Sequence, residues 1–174
     1  MNDRIPAWID GVLTPVDKIE VHRRGLRHPA VSVFVMDGGD TLIQRRADAK
    51  YHTPGLWANA CCTHPHWAET PAACAQRRLA EELGLTAMPM TWRERVEYRA
   101  PVGCDLIEHE VVDIFVTEAA TGTPVSPDPA EVSEVRWIAL EELGREIAAH
   151  PERFSPWLRI YLADHQDKIF GAAA

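Results

Sequence analysis

The run Glu69-Thr70-Pro71-Ala72-Ala73-Cys74-Ala75-Gln76-Arg77-Arg78-Leu79-Ala80-Glu81-Glu82-Leu83-Gly84-Leu85 reads as a helix with both ends marked. Thr70 is an N-cap residue, whose hydroxyl accepts a hydrogen bond from a first-turn amide. Pro71 follows at the first helical position, where no N–H is needed. Gly84 tolerates the left-handed conformation that stops a helix. Arg78 and Glu82 are four residues apart and share a face, so a cation lies beside a carboxylate. Taken alone, that pattern is the ion pair of a solvated amphipathic helix.

Working outward, residues 30–36 (Ala-Val-Ser-Val-Phe-Val-Met) are apolar enough for a buried strand. Asp37-Gly38-Gly39-Asp40 makes a turn, and residues 41–46 return as a second strand. Residues 96–99, 108–117 and 132–138 read as further strands, and 140–149 as a helix. The Pro- and Thr-rich stretch 121–129 is a loop. Ser155-Pro156 repeats the cap-and-proline signal before a helix over 157–165. Strands and helices alternating irregularly predict an α/β (α+β) architecture, a mixed-sheet sandwich flanked by helices, with residues 1–174 as a single domain. No apolar run is long enough to span a membrane, and Met1-Asn2-Asp3-Arg4 has no leader pattern. The four cysteines form no CxxC pair, which disfavours a zinc knuckle and fits a reducing cytoplasm. A net charge of −8 argues against a nucleic-acid partner. It also means that an anionic ligand needs a local basic cluster.

The helix and the loop before it resemble the Nudix box, G-x5-E-x7-R-E-U-x-E-E-x-G-U with U apolar. The register places Thr63, Glu69, Arg77, Arg78, Leu79, Glu81, Glu82, Gly84 and Leu85 on its fixed positions. Thr63 stands where the first glycine belongs, and Arg78 where a glutamate follows the arginine. A hydrolase of that family would hold Mg²⁺ with carboxylates on both 78 and 82; this chain keeps only Glu82. Just upstream, Trp57-Ala58-Asn59-Ala60-Cys61-Cys62-Thr63-His64-Pro65 is similar to the W-x-N-x-x-C-x-H-P motif of the type I isopentenyl-diphosphate isomerases, which share the Nudix fold. In an extended segment Cys62 and His64 face one way, about 7 Å apart, and Cys61 and Thr63 the other. Taken singly, a free cysteine is most often a small core residue and a histidine a hydrogen-bonded one.

Alternation along the strand at 108–117 puts Glu108 and Glu110 on one face and His109 on the other. With His22, His28 and His64, the two glutamates make an N/O donor set suited to an octahedral Mg²⁺, Mn²⁺ or Zn²⁺. The resemblance assigns the same five positions as ligands. The loop between His22 and His28 is a residue shorter than in the family pattern, while Lys18 keeps its spacing to His22. The resemblance, which runs from Lys18 to Trp157, implies more. Lys18, Arg46, Lys50 and Arg78 match diphosphate-binding positions and would supply the missing basic cluster. Tyr98 matches an active-site tyrosine, and Trp157 the tryptophan that closes over the isoprenoid. A second ion, Mg²⁺, would sit between Glu82 and the diphosphate. The implied reaction interconverts isopentenyl and dimethylallyl diphosphate, with Cys62 and Glu110 as the acid–base pair. A Nudix pyrophosphohydrolase is the alternative, which Arg78 and the cysteine loop disfavour. A non-catalytic metal-binding module is the third reading.

Overall fold

The computed structural model describes residues 4–171. The first three residues, part of the leader reading above, lie outside them. Strands β1 (Arg4–Ile9) and β2 (Val12–Asp17) pair as an antiparallel hairpin. Helix α1 (Lys18–Arg24) follows, capped by Asp17 and ended by Gly25 in the left-handed conformation. The central sheet is built from β3 (Arg27–Asp37), β4 (Asp40–Arg46), β5 (Trp57–Asn59), β6 (Cys61–Thr63), β7 (Thr91–Pro101), β8 (Ile107–Glu118) and β9 (Val132–Ala139). Its path runs β5-β4-β3-β8-β7, with β6 added to β3 and β9 to β4. Among these strands β3 and β8 alone pair in parallel, so the sheet is mixed. The remaining helices are α2 (Pro71–Leu83), α3 (Leu140–Ala149), α4 (Pro156–Asp164) and α5 (Gln166–Phe170).

The sheet is covered on both faces, and the alternation of β3 shows how. Val31, Val33 and Val35 join Leu79 and Leu83 of α2 in one core. Ala30, Phe34 and Met36 join Leu143, Leu158, Tyr161 and Ile169 of α3, α4 and α5 in the other. That double burial is why the strand reads as a continuous apolar run. Helix α2 begins and ends where its sequence says. Thr70 Oγ1 accepts from the Ala73 amide, and Gly84 takes φ 68°, its amide reaching back to the Leu79 and Ala80 carbonyls. A Cβ on Gly84 would also stand 3.1 Å from Ser126 Cβ. Ser155 differs from expectation, because its side chain caps nothing. Its backbone is fixed instead by the Ser155 amide on the Trp57 carbonyl at 2.9 Å and by the Trp57–Phe154 bridge to β5. Among the described residues no helix is long and apolar enough to cross a membrane.

Candidate active site and metal centre

Three separate pieces of chain bring the imidazoles together. His22 sits in the last turn of α1, His28 at the start of β3 and His64 immediately after β6. Parallel pairing sets His28 opposite Glu110 of β8, and antiparallel pairing sets Tyr98 of β7 opposite the same glutamate. One ligand atom from each of His22, His28, His64 and Glu110 falls within 4.8 Å of the others, and all four residues are buried. A second group, sharing His22, consists of His22, His52 and Glu108. His109 points away, as the alternation requires, onto Glu97 at 3.2 Å.

The hydrogen bonds behind the rings test whether this cluster suits a cation. Nδ1 of His22 lies 2.7 Å from the Lys18 carbonyl, and Nδ1 of His28 lies 2.7 Å from the Leu26 carbonyl. A carbonyl only accepts, so both Nδ1 atoms carry protons and both Nε2 atoms present bare lone pairs. Nε2 of His28 then stands 3.5 Å from Glu110 Oε1 and 3.2 Å from Nε2 of His64, which is itself 3.0 Å from that oxygen. Lone pairs and a carboxylate converging in a buried space need a positive charge between them, and the donor set fits a divalent ion.

The two glutamates are held differently. Burial raises Glu108 far above the usual carboxylate range, and the Glu110 charge adds to the effect. Burial acts on Glu110 in the same sense, but the imidazoles of His28 and His64 beside it act the other way and hold Glu110 low. The Tyr98 hydroxyl is 2.8 Å from Glu108 Oε2 and 2.7 Å from Glu110 Oε2. A phenol donates one proton, so both bonds form at once when one carboxyl is itself protonated, and Glu108 is that member. Burial and the two glutamates keep Tyr98 protonated.

Burial lowers His22 to about 4 and His64 to about 3. Each is neutral in the folded chain and titrates near 6.5 when unfolded. A depressed folded value means that the unfolded chain binds protons first as pH falls. The stability these groups contribute is therefore complete above about pH 6.5 and is lost on descending towards pH 4. Metal-free protein should show its urea midpoint falling across that interval; a midpoint flat from pH 7 to 4 would contradict it.

Cys62 and Cys61 part company as strand geometry demands. Cys61 is fully buried against the α2 core and donates towards Glu82 Oε1 at 3.6 Å. Cys62 packs against the opposite core and lines a small cavity. Lys18, Arg46, Lys50, Arg78, His64, Glu108, Glu110 and Trp157 line the same cavity. Burial and the neighbouring carboxylates push the Cys62 thiol well up, so it holds its proton, while Ser32 acts in the opposite sense. Ser32 receives Asn59 Nδ2 at 2.9 Å, and Asn59 also reaches the Val33 and Cys61 carbonyls at 2.9 Å. Asn59 thus locks β5, β3 and β6 together beneath the cysteine. Arg46 is 5.4 Å from the Trp157 ring centroid, which puts the expected anion anchor and the expected aromatic wall side by side.

The anchors are less uniform than the sequence implied. Lys50 and Arg78 both pair with Glu131, a loop residue that the sequence reading passed over. Nothing local marks Glu131; only folding brings it there. Glu82 lies outside both His/Glu groups and outside the cavity lining. Its Oε1 accepts from Arg78 at 2.7 Å and its Oε2 from Gln44 at 3.0 Å. His52 is the other missed residue, buried at 5% exposure behind His22. Its signal was faint, a lone histidine between Tyr51 and Thr53 in a loop.

Residues 26–159 match the NUDIX domain, and the chain belongs to the NUDIX family. Within it, the chain groups with the isopentenyl-diphosphate Delta-isomerases. A protein of that name from Cereibacter sphaeroides (strain ATCC 17025 / ATH 2.4.3) is 64% identical over 171 residues, covering 98% of this chain and 97% of the relative. Another from Dinoroseobacter shibae is 63% identical, covering 100% of this chain and 99% of the relative. A third from Rhodobacter capsulatus is 54% identical, covering 97% and 96%. Among solved structures, the Deinococcus radiodurans protein DR0079 superposes with a TM-score of 0.67 at 17% identity, covering 84% of this chain and 90% of that one. The MutT protein of Methanosarcina mazei Go1 gives 0.61 at 18%, covering 82% and 96%. Both likenesses concern the fold.

Proposed function

We infer that the protein is a metal-dependent isomerase that interconverts isopentenyl and dimethylallyl diphosphate by adding a proton to the alkene and removing another. The observation that carries this reading is the cavity itself. A protonated thiol, an ionised carboxylate, an indole and a set of cations line one cavity. An alkene with no adjacent carbonyl cannot be deprotonated first, so protonation comes first and creates a tertiary carbocation. Cys62 and Glu110 form the acid–base pair. The Trp157 face stabilises the positive charge by about 2 kcal/mol in a dry site. Tyr98 orients Glu110 and links it to Glu108. His22, His28, His64, Glu108 and Glu110 would hold a divalent ion (Mn²⁺, Mg²⁺ or Zn²⁺), which when bound would keep the carboxylates ionised and set the proton affinity of Glu110. Lys18, Arg46, Lys50 and Arg78 take the diphosphate, whose binding energy holds the small apolar tail against the acid and base. A substrate-borne Mg²⁺ would draw on Glu82.

Hydrolysis of a nucleoside diphosphate is the competing reading of the same fold. The Arg78–Glu82 ion pair, standing where two metal-binding carboxylates would be, tells against it. Metal-replete protein incubated with isopentenyl diphosphate and Mg²⁺ in D₂O should give deuterated dimethylallyl diphosphate, visible by NMR. Phosphate release from nucleotides without exchange or isomer formation would favour the hydrolase instead.

A further inference from the structure

His52 belongs to neither the expected ligand set nor the anchor set, yet it lies between them. It sits in the loop joining β4 to β5. Its ring stacks on His22, with centroids 5.6 Å apart at 28°, and meets the Trp157 ring edge-on at 6.1 Å. Its Nε2 is 3.6 Å from Glu108 Oε1. Its Nδ1 is 3.4 Å from Arg46 Nη2 and 3.0 Å from Thr53 Oγ1, and its carbonyl accepts from the same Nη2 at 3.1 Å.

By proximity alone His52 could be a further metal ligand, because its donor atom lies within 4.8 Å of those of His22 and Glu108. The groups behind the ring decide otherwise. His22 and His28 each set Nδ1 on a carbonyl, which demands a proton there and leaves Nε2 bare for a metal. His52 Nδ1 faces the Arg46 guanidinium, which can only donate, and the Thr53 hydroxyl, which can turn to donate as well. Nδ1 is then the lone pair, and the ring proton sits on Nε2, facing Glu108.

We propose that His52 is a positioning residue that ties the diphosphate anchor Arg46 to the carboxylate Glu108, accepting from the first at Nδ1 and presenting Nε2–H to the second. It deepens the isomerase reading and rests on it for the roles of Arg46 and Glu108; the tautomer itself does not depend on that reading. At 3.6 Å the Nε2–H contact is a dipole turned towards a carboxylate rather than a formed hydrogen bond, and ionisation of Glu108 strengthens it. One ring thereby fixes the guanidinium that meets the substrate and steadies an oxygen of the metal-binding pair.

The tautomer is the direct test. In Zn²⁺-loaded protein labelled with ¹⁵N in its histidine rings, long-range ¹H–¹⁵N correlation should show His52, identified by its disappearance in His52→Gln, protonated at Nε2. Protonation at Nδ1 would overturn the proposal. In Co²⁺-loaded protein, His52→Gln should leave the visible spectrum unchanged, since the ligand count is unaltered. A changed band pattern would make His52 a ligand and sink the positioning role. Glutamine can still accept from Arg46 and donate to Glu108, whereas leucine can do neither. Binding of inorganic diphosphate should therefore weaken about tenfold in His52→Leu, the loss of roughly one charged hydrogen bond. It should stay within about threefold of wild type in His52→Gln, and equal losses in both would count against the link. These readouts need no turnover, so they stand apart from success or failure of the D₂O experiment.

Discussion

Cys62→Ala should abolish isomerisation while leaving diphosphate binding near its wild-type strength. The thiol and Glu110 line the same cavity as Lys18, Arg46, Lys50 and Arg78, the proposed diphosphate anchors. Removing one sulfur takes away a proton carrier and leaves the cations in place. Cys62→Ser should be nearly as impaired, because a hydroxyl is a far weaker acid than a thiol and protonating an alkene is already hard. Cys61→Ala is the internal control. That side chain is fully buried on the α2 side of the sheet, with Glu82 and not the cavity as its polar neighbour. Its loss should cost about 1 kcal/mol of stability and little activity. An electrophilic isoprenoid diphosphate should alkylate Cys62 and spare Cys61, Cys74 and Cys104. Full turnover in Cys62→Ala, or an adduct mapped by mass to Cys61, would mean that the acid–base pair is misassigned.

Glu110→Gln should be the other severe variant, with turnover down by at least about a thousandfold, as expected when an acid–base group is removed. Two proposed roles meet on this side chain. One oxygen faces His28 and His64, and the other receives Tyr98. Glutamine keeps the shape and the Tyr98 bond but removes the charge that the bare imidazole lone pairs face. Metal affinity should fall by roughly one to two orders of magnitude. Tyr98→Phe should keep the metal and lose a smaller part of turnover, because it removes orientation and not charge. Competition with a chelator separates the two effects. Unchanged metal affinity in Glu110→Gln would show that the carboxylate is not a ligand.

Much of the framework was legible because local rules and global fold agree. Helix α2 carries its own cap, its proline and its stopping glycine, and folds to those bounds. Strand β3 is apolar on both faces because both faces are covered. The alternation of β6 and β8 separated Cys62 from Cys61 and the glutamates from His109 with no tertiary information, since a strand's period of two is a backbone property. The N-terminal hairpin and α1 were not anticipated. Each of their six-residue strands carries a proline, Pro6 or Pro15, which weakens a strand reading, and the Asp17 cap and Gly25 bound the helix that carries His22.

The sequence by itself determined the donor types, the two faces of the cysteine strand and the helix that carries Arg78 and Glu82. The tertiary structure alone decided which donors meet and how each is protonated. Parallel pairing of β3 with β8 is what sets His28 against Glu110. Carbonyls stand behind His22 and His28 and a guanidinium beside His52, so rings that are alike in sequence meet different partners. Glu131 and His52 reached the site unannounced for the same reason. A buried charge is satisfied by whichever partner the chain brings within about 3 Å, and that depends on contacts between segments far apart in sequence.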